Sequence, residues 1–134
     1  MKDKKVIFII DDDEDDLLFL REAVNKLNIA VDFYHATNGE TALRQLKENA
    51  IPVPDYIFLD LNMPKLNGRE CLPQIKQLPR YANVPVIIYT TSSYQKDIQE
   101  IMQFGAAHFL TKPTTIGELC DKLQEIFTIQ WHVH

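Results

Sequence analysis

Apolar runs alternate with amphipathic ones along the whole chain, which predicts an α/β domain on a mostly parallel sheet. Three of the runs, at 6–10, 56–59 and 86–89, lack polar alternation, as expected of strands covered by helices on both faces. A length of 134 residues suits one domain with a real core and is too short for two ordinary ones.

The predicted strands lie at 6–10, 31–36, 56–59, 86–89 and 108–111. Leu17, Leu20, Val24 and Leu27 form the stripe of a first helix, with Asp15 or Asp16 as its N-cap. Thr37-Asn38-Gly39-Glu40 reads as a capping box for a second helix through Ala42, Leu43 and Leu46. Asn67 opens a third. Pro73 falls inside it, where the lost hydrogen bond costs roughly 3 kcal/mol and predicts a late start or a kink. Ile98, Ile101 and Met102 mark a fourth helix that Gly105 can end. Thr115-Ile116-Gly117-Glu118 is a second capping box, followed by Leu119, Cys120, Leu123 and Phe127. Residues 49–54 form a somewhat long loop. The tail at 127–134 alternates apolar and polar residues, which is strand periodicity, and reads either as a frayed helix end or as a strand packing on this domain or a partner.

Residues 11–16 read Asp-Asp-Asp-Glu-Asp-Asp directly after the first strand, and like charges so close call for a cation or hydrogen bonds. The formal charge is -5; without these six acids it becomes 14 basic against 13 acidic residues, or +1, so the acidity is local. The net charge argues against nucleic acid as a direct partner. The longest apolar runs, about five residues, fall far short of a helical membrane span and of a signal-length stretch, and a cytoplasmic protein is expected. Cys71 and Cys120 sit at apolar-periodic positions and read as reduced, buried thiols. His35, His108, His132 and His134 are scattered over different elements and suggest no metal site.

Chemistry gathers where the strands end. Asp11 and Asp12 follow the first strand, Asp60 the third, Thr90 the fourth and Lys112 the fifth. In a parallel sheet with right-handed crossovers these ends share one edge, where ligands bind. Mg²⁺ takes one or two carboxylates, several waters and a phosphate. Lys112 can offset phosphate charge, Thr90 can donate a hydrogen bond, and Asp60 is then available as a nucleophile toward phosphorus. Asp13, Glu14, Asp15 and Asp16 read as helix-start acids favoured by the dipole.

The ordered set of Asp11-Asp12, Asp60-Leu61-Asn62-Met63-Pro64, Asn67-Gly68, Thr90, Gly105-Ala106 and Lys112-Pro113 resembles the receiver domain of two-component response regulators, from about Val6 to Phe127. The resemblance implies a flavodoxin-like, doubly wound (βα)5 fold: a five-stranded parallel sheet of order 2-1-3-4-5 with helices on both faces. It implies one receiver domain over 1–134, with a core of about 6–127 and a C-terminal tail at 128–134. Asp60 would be the phosphoacceptor. Asp12 would ligate Mg²⁺ directly, Asp11 mainly through water, and Asn62 through its backbone carbonyl, with Asp60 completing the site. Thr90 and Phe109 would be the switch pair, and Lys112 would pair with the phosphoryl group. Asn62 and Ser92 would tune dephosphorylation. The Lys112–Pro113 peptide would be cis.

The implied partners are a sensor histidine kinase or phosphotransfer protein and a downstream protein. A homodimer through the face from the fourth to the fifth helix is also implied. The chain would be a signalling domain that catalyses only its own phosphorylation and dephosphorylation. The long loop before strand 3 and the Asp60-Leu-Asn context resemble stand-alone receivers that work with phytochrome-type or other sensor kinases. Two alternatives stay open on the residues. Asp11-Asp12-Asp13 imitates the start of haloacid-dehalogenase-like phosphatases, with Asp11 as nucleophile. A receiver-shaped binding module that ignores phosphorylation is the other.

Overall fold

In the computed structural model, which describes residues 4–91 and 95–129, one parallel sheet runs in the order β2-β1-β3-β4-β5. Its strands are β1 (Lys5–Ile10), β2 (Val31–Ala36), β3 (Tyr56–Leu59), β4 (Val86–Thr90) and β5 (His108–Thr111). The connecting helices are α1 (Glu14–Lys26), α2 (Gly39–Lys47), α3 (Gly68–Lys76), α4 (Gln95–Gln103) and α5 (Ile116–Thr128). A 3₁₀ turn at Pro79–Tyr81 was not foreseen. Among the described residues no helix is long and apolar enough to cross a membrane.

The unbroken apolar runs have a simple cause: side chains of alternate strand residues enter two different cores. Ile7, Ile9, Phe58, Ile87 and Tyr89 pack with Leu20 and Val24 of α1 and Leu119, Leu123 and Ile126 of α5. Phe8, Ile10, Ile57, Leu59 and Ile88 pack with Leu43 and Leu46 of α2, Leu72 and Ile75 of α3, and Ile101 of α4. The chain leaves β1 for β2 on one side and enters β3 on the other. The sheet's switch point therefore lies between β1 and β3, which pair with Ile10 opposite Leu59.

Local chemistry moved several expected boundaries. Asp13, not Asp15 or Asp16, caps α1, its side chain accepting from Asp15 N at 2.9 Å. Asn38, not Thr37, caps α2 through Thr41 N at 2.8 Å. Asn67 and Glu70 form a full capping box on α3, and the helix starts on time and runs through Pro73. Pro73 removes the bond to the Arg69 carbonyl, while Gln77 N still reaches the Pro73 carbonyl at 3.1 Å. Thr115 caps α5, and Gly105, at φ 106°, closes α4. Met102 of α4 is exposed while Ile101 is fully buried, so Met102 does not belong to the core stripe. Phe127 and Thr128 continue α5 rather than beginning a strand. The Phe127 ring meets Tyr56 at 5.1 Å. The rest of the alternating tail, 130–134, lies outside the described residues, and His132 and His134 with it.

The loop after β3 is strained and tightly held. Lys65 and Leu66 adopt left-handed φ angles of 50° and 74°, each costing of order 1 kcal/mol. Glu40 N donates to the Lys65 carbonyl at 3.2 Å, and Gly68 N donates to the Leu61 carbonyl at 3.1 Å. Two glycines permit these approaches. A Cβ on Gly39 would lie 2.2 Å from the Leu66 carbonyl oxygen, and one on Gly68 would lie 2.3 Å from that of Asp60.

The atoms nearest a Cβ on Gly68 are all backbone atoms of Asp60 and Leu61, so Gly68→Ala must shift the end of β3 and is expected to cost about 1–3 kcal/mol. Gly117→Ala meets no atom within 4 Å, and should be neutral or stabilising by up to about 1 kcal/mol. Urea denaturation of both variants checks the pair; equal midpoints would show that the Asp60–Gly68 contact is not tight.

Candidate functional site

Asp11 and Asp60 are the first residues beyond β1 and β3, and the ladder continues through both: Asp60 N donates to the Ile10 carbonyl at 2.9 Å, and Asp11 N to the Ala36 carbonyl at 3.0 Å. Their backbones are thus fixed by the sheet, and both side chains are buried, 2% and 7% exposed. Asp12, one residue on, is exposed. Each of Asp11, Asp12 and Asp60 offers a carboxylate oxygen, and these atoms lie within 4.8 Å of one another.

Lys112, just past β5, enters this group from the other side with a side chain only 8% exposed. Its Nζ stands 2.5 Å from Asp16 Oδ2, 2.9 Å from Asp11 Oδ2 and 3.3 Å from Asp60 Oδ2. Its backbone N donates to the Thr90 carbonyl at 2.8 Å. Below it lies the Tyr89 ring, with Nζ 5.4 Å from the centroid. Four carboxylates, those of Asp11, Asp12, Asp16 and Asp60, therefore face one ammonium.

The electrostatics follow from that imbalance. Burial is the main reason the Asp11 carboxyl is pushed up to about 6; the Asp13 amide and Lys112 pull it partly back, and the charge of Asp60 adds to the rise. For Lys112 burial works against the charge, but the hydrogen bond to Asp16 and the close negative charges of Asp11 and Asp60 outweigh it and hold the ammonium above its ordinary range. Burial, then the charge of Asp16, raises the Tyr89 phenol.

Asp11 Oδ1 accepts from Asp13 N at 2.9 Å. Asp11 Oδ2 is different: it is buried and close to Lys112 Nζ, yet among the described residues no donor is aligned with it. The pair is an ionic contact and not a hydrogen bond, since short distance alone does not make one. A buried carboxylate oxygen short of a partner, beside two more carboxylates, fits a hard divalent cation. Oxygen donors alone favour Mg²⁺, Mn²⁺ or Ca²⁺ over softer metals.

The other expected site residues divide. Thr90 ends β4 fully buried, whereas the neighbouring Thr91 is exposed. Asn62 is exposed, and its backbone N donates to Asp60 Oδ1 at 3.3 Å. Phe109 is half-buried, opposite Ile88, against the α2–α4 core. Ser92 lies outside the described residues. The cis expectation for Lys112–Pro113 is corrected: among the described residues there is no cis peptide. An X–Pro bond prefers trans by only about 0.5–1 kcal/mol, so neighbouring residues do not settle the isomer.

Two residues of the site were missed. Asp16 was assigned to helix launching only, but it lies four residues before Leu20 and seven before Ala23, both fully buried, and so faces inward. Tyr89 was read only as the last residue of an apolar strand. Its hydroxyl is buried, with no hydrogen-bond partner among the described residues. Cys71 is buried, its thiol pushed up to about 12 by burial, and Cys120 is half-buried; both are free thiols remote from this cluster.

Comparison with known proteins agrees with this geometry. The chain is 31% identical to the response regulator Rcp1 of Synechocystis sp. over 126 residues, covering 91% of this chain and 86% of that protein. The Mn²⁺-bound form of Rcp1 superposes with a TM-score of 0.82 at 29% identity, over 96% of this chain and 99% of the other. The phosphorylated cyanobacterial phytochrome response regulator RcpA gives 0.79 at 31% identity, over 92% and 91%. The model of the response regulator receiver domain matches residues 7–124. With strand order, acidic trio and buried lysine all in place, the chain belongs to the response regulator receiver family of two-component signalling.

Proposed function

We propose that residues 1–134 act as one receiver domain, with a core of about 6–127, in which Asp60 takes a phosphoryl group from the phosphohistidine of a sensor histidine kinase or phosphotransfer protein. The observation that carries this is the position of Asp60. Its carboxylate belongs to the trio that can hold a cation and also stands 3.3 Å from the Lys112 ammonium. An Asp60 oxygen attacks phosphorus, the bond from phosphorus to the donor imidazole breaks, and the imidazole nitrogen keeps the electron pair. The products are an acyl phosphate on Asp60 and the free donor histidine.

Asp11, Asp12 and Asp60, with the Asn62 backbone carbonyl, would hold Mg²⁺. When bound, Mg²⁺ neutralises charge on the phosphoryl oxygens. Lys112 adds a second positive charge in a site shielded from water, where it acts strongly. Thr90 donates its hydroxyl to the new phosphoryl group, and Phe109 follows it, changing the face built by α4, β5 and α5. Asn62 and Ser92 tune the loss of the group. The mutual charge of these acids supports a metal: without one, a dianionic phosphoryl group on Asp60 would face the three remaining carboxylates, those of Asp11, Asp12 and Asp16.

Resemblance to a phytochrome response regulator supports a phytochrome-type kinase as donor, in the cytoplasm. Output through a protein contact or a homodimer fits the exposed Met102 and Phe104 on the α4 side. Membership of the receiver family displaces the phosphatase alternative, in which Asp11 would be the nucleophile.

Asp60→Asn should lower labelling by a small phosphodonor with Mg²⁺ at least about 100-fold, since the amide is a far poorer nucleophile. Equal labelling of both proteins would sink the assignment. A second expectation concerns pH. Asp11 must be ionised to serve a cation, and its carboxyl sits at about 6. Above that value no proton need leave; below it each bound ion displaces one, so Mg²⁺ affinity should fall about tenfold per pH unit from 6 downward. Affinity flat between pH 7 and 5, measured by calorimetry, would take Asp11 out of the site.

A further inference from the structure

Asp16 is the carboxylate nearest to Lys112, at 2.5 Å, and yet it stands outside the trio that can hold a cation. The other two partners of Lys112, Asp11 and Asp60, belong to that trio. A divalent ion on Asp11, Asp12 and Asp60 would thus claim two of the lysine's three counter-charges and repel its ammonium. A buried ammonium left unpaired is costly. Among the described residues only Asp16, with 27% of its side chain exposed, is left to keep it paired at that stage.

The surroundings leave Lys112 little else to do. The Tyr89 ring closes one side, 5.4 Å from Nζ. The Lys112 backbone is fixed to the Thr90 carbonyl at 2.8 Å. Within this setting the ammonium is shared between Asp16 of α1 on one hand and Asp11 and Asp60 at the strand ends on the other.

We propose that Asp16 is the resting partner of Lys112, a positioning residue. It draws the ammonium off Asp11 and Asp60 so that the cation can enter, and a phosphoryl group on Asp60 later draws it back. The idea rests on the phosphoacceptor role of Asp60 given above. It goes beyond that role in giving a function to an acid of the first turn of α1, and in making cation binding depend on an acid that never ligates the ion.

The test is a double-mutant cycle on Mg²⁺ binding, read by calorimetry with no phosphodonor present. Asp16→Asn keeps the side chain's shape and leaves the Asp13 cap of α1 intact. In the presence of Lys112 it should weaken Mg²⁺ binding about tenfold; in the Lys112→Met background, where no ammonium needs holding, about twofold or less. Equal factors in both backgrounds would reduce Asp16 to a distant charge and overturn the proposal, as would unchanged affinity beside Lys112. Beryllofluoride binding at saturating Mg²⁺ reads the return step. It should tighten several-fold in Asp16→Asn, and weaker or unchanged binding would overturn the handover. Wild-type protein that bound no Mg²⁺ would sink the phosphoacceptor assignment as well, and that result is visible before any variant is made.

Discussion

A single buried ammonium organises the functional edge of this fold. Lys112 reaches acids from three separate segments: Asp11 beyond β1, Asp16 in α1 and Asp60 beyond β3. Without it, several carboxylates would crowd a region of low dielectric, where like charges repel strongly. The lysine offsets only part of that charge. The site is stable enough to fold and still short of positive charge, which is the condition a divalent cation meets.

The scaffold explains why these groups can be held so closely. β1 and β3 are the innermost strands around the switch point, and hydrogen bonds from Asp11 N and Asp60 N extend the ladder one residue past each. Neither carboxylate sits on a free loop. Behind Asp60 the backbone turns through two left-handed residues, Lys65 and Leu66, and is pinned by α2 and α3 through Gly39 and Gly68. The cost of that turn is spread over two helices. In exchange, the loop after Asp60 has a fixed shape on the side where a cation and a phosphoryl group would have to fit.

Much of this was legible in the sequence, for physical reasons that differ by element. The strands were clear because each central strand is buried on both faces, and apolar runs of that kind have few other uses. The gathering of Asp11, Asp12, Asp60, Thr90 and Lys112 at one edge was legible because a parallel sheet sends every strand end there. Caps were misplaced by one to three residues where several capable side chains stand together, as in 11–16, and only local hydrogen bonds choose among them. The 3₁₀ turn at Pro79–Tyr81 escaped notice because its anchor is distant: Tyr81 Oη donates to the Leu46 carbonyl at 3.0 Å across 35 residues. Asp16 escaped for the same reason, since its partner lies 96 residues away. The Lys112–Pro113 isomer depends on an energy gap too small for any sequence pattern to decide.

One lysine joins the chemistry to the rest of the sheet. Its Nζ is 3.3 Å from Asp60, while its backbone N is bonded to Thr90, and Thr90 pairs with Thr111 across β4 and β5. A new dianionic group on Asp60 would pull on Nζ, and that pull would be felt at the end of β4 without any loop having to transmit it. Phe109 lies on the same strand as Thr111 and is only half-buried, whereas Leu110 on the opposite face is buried among α1 and α5 residues. Moving Leu110 would open a cavity in a packed core, which is expensive. Moving Phe109 exchanges one partly exposed position for another. Packing would therefore favour a rearrangement at Phe109, on the α4 face, over one at Leu110, on the α1–α5 side.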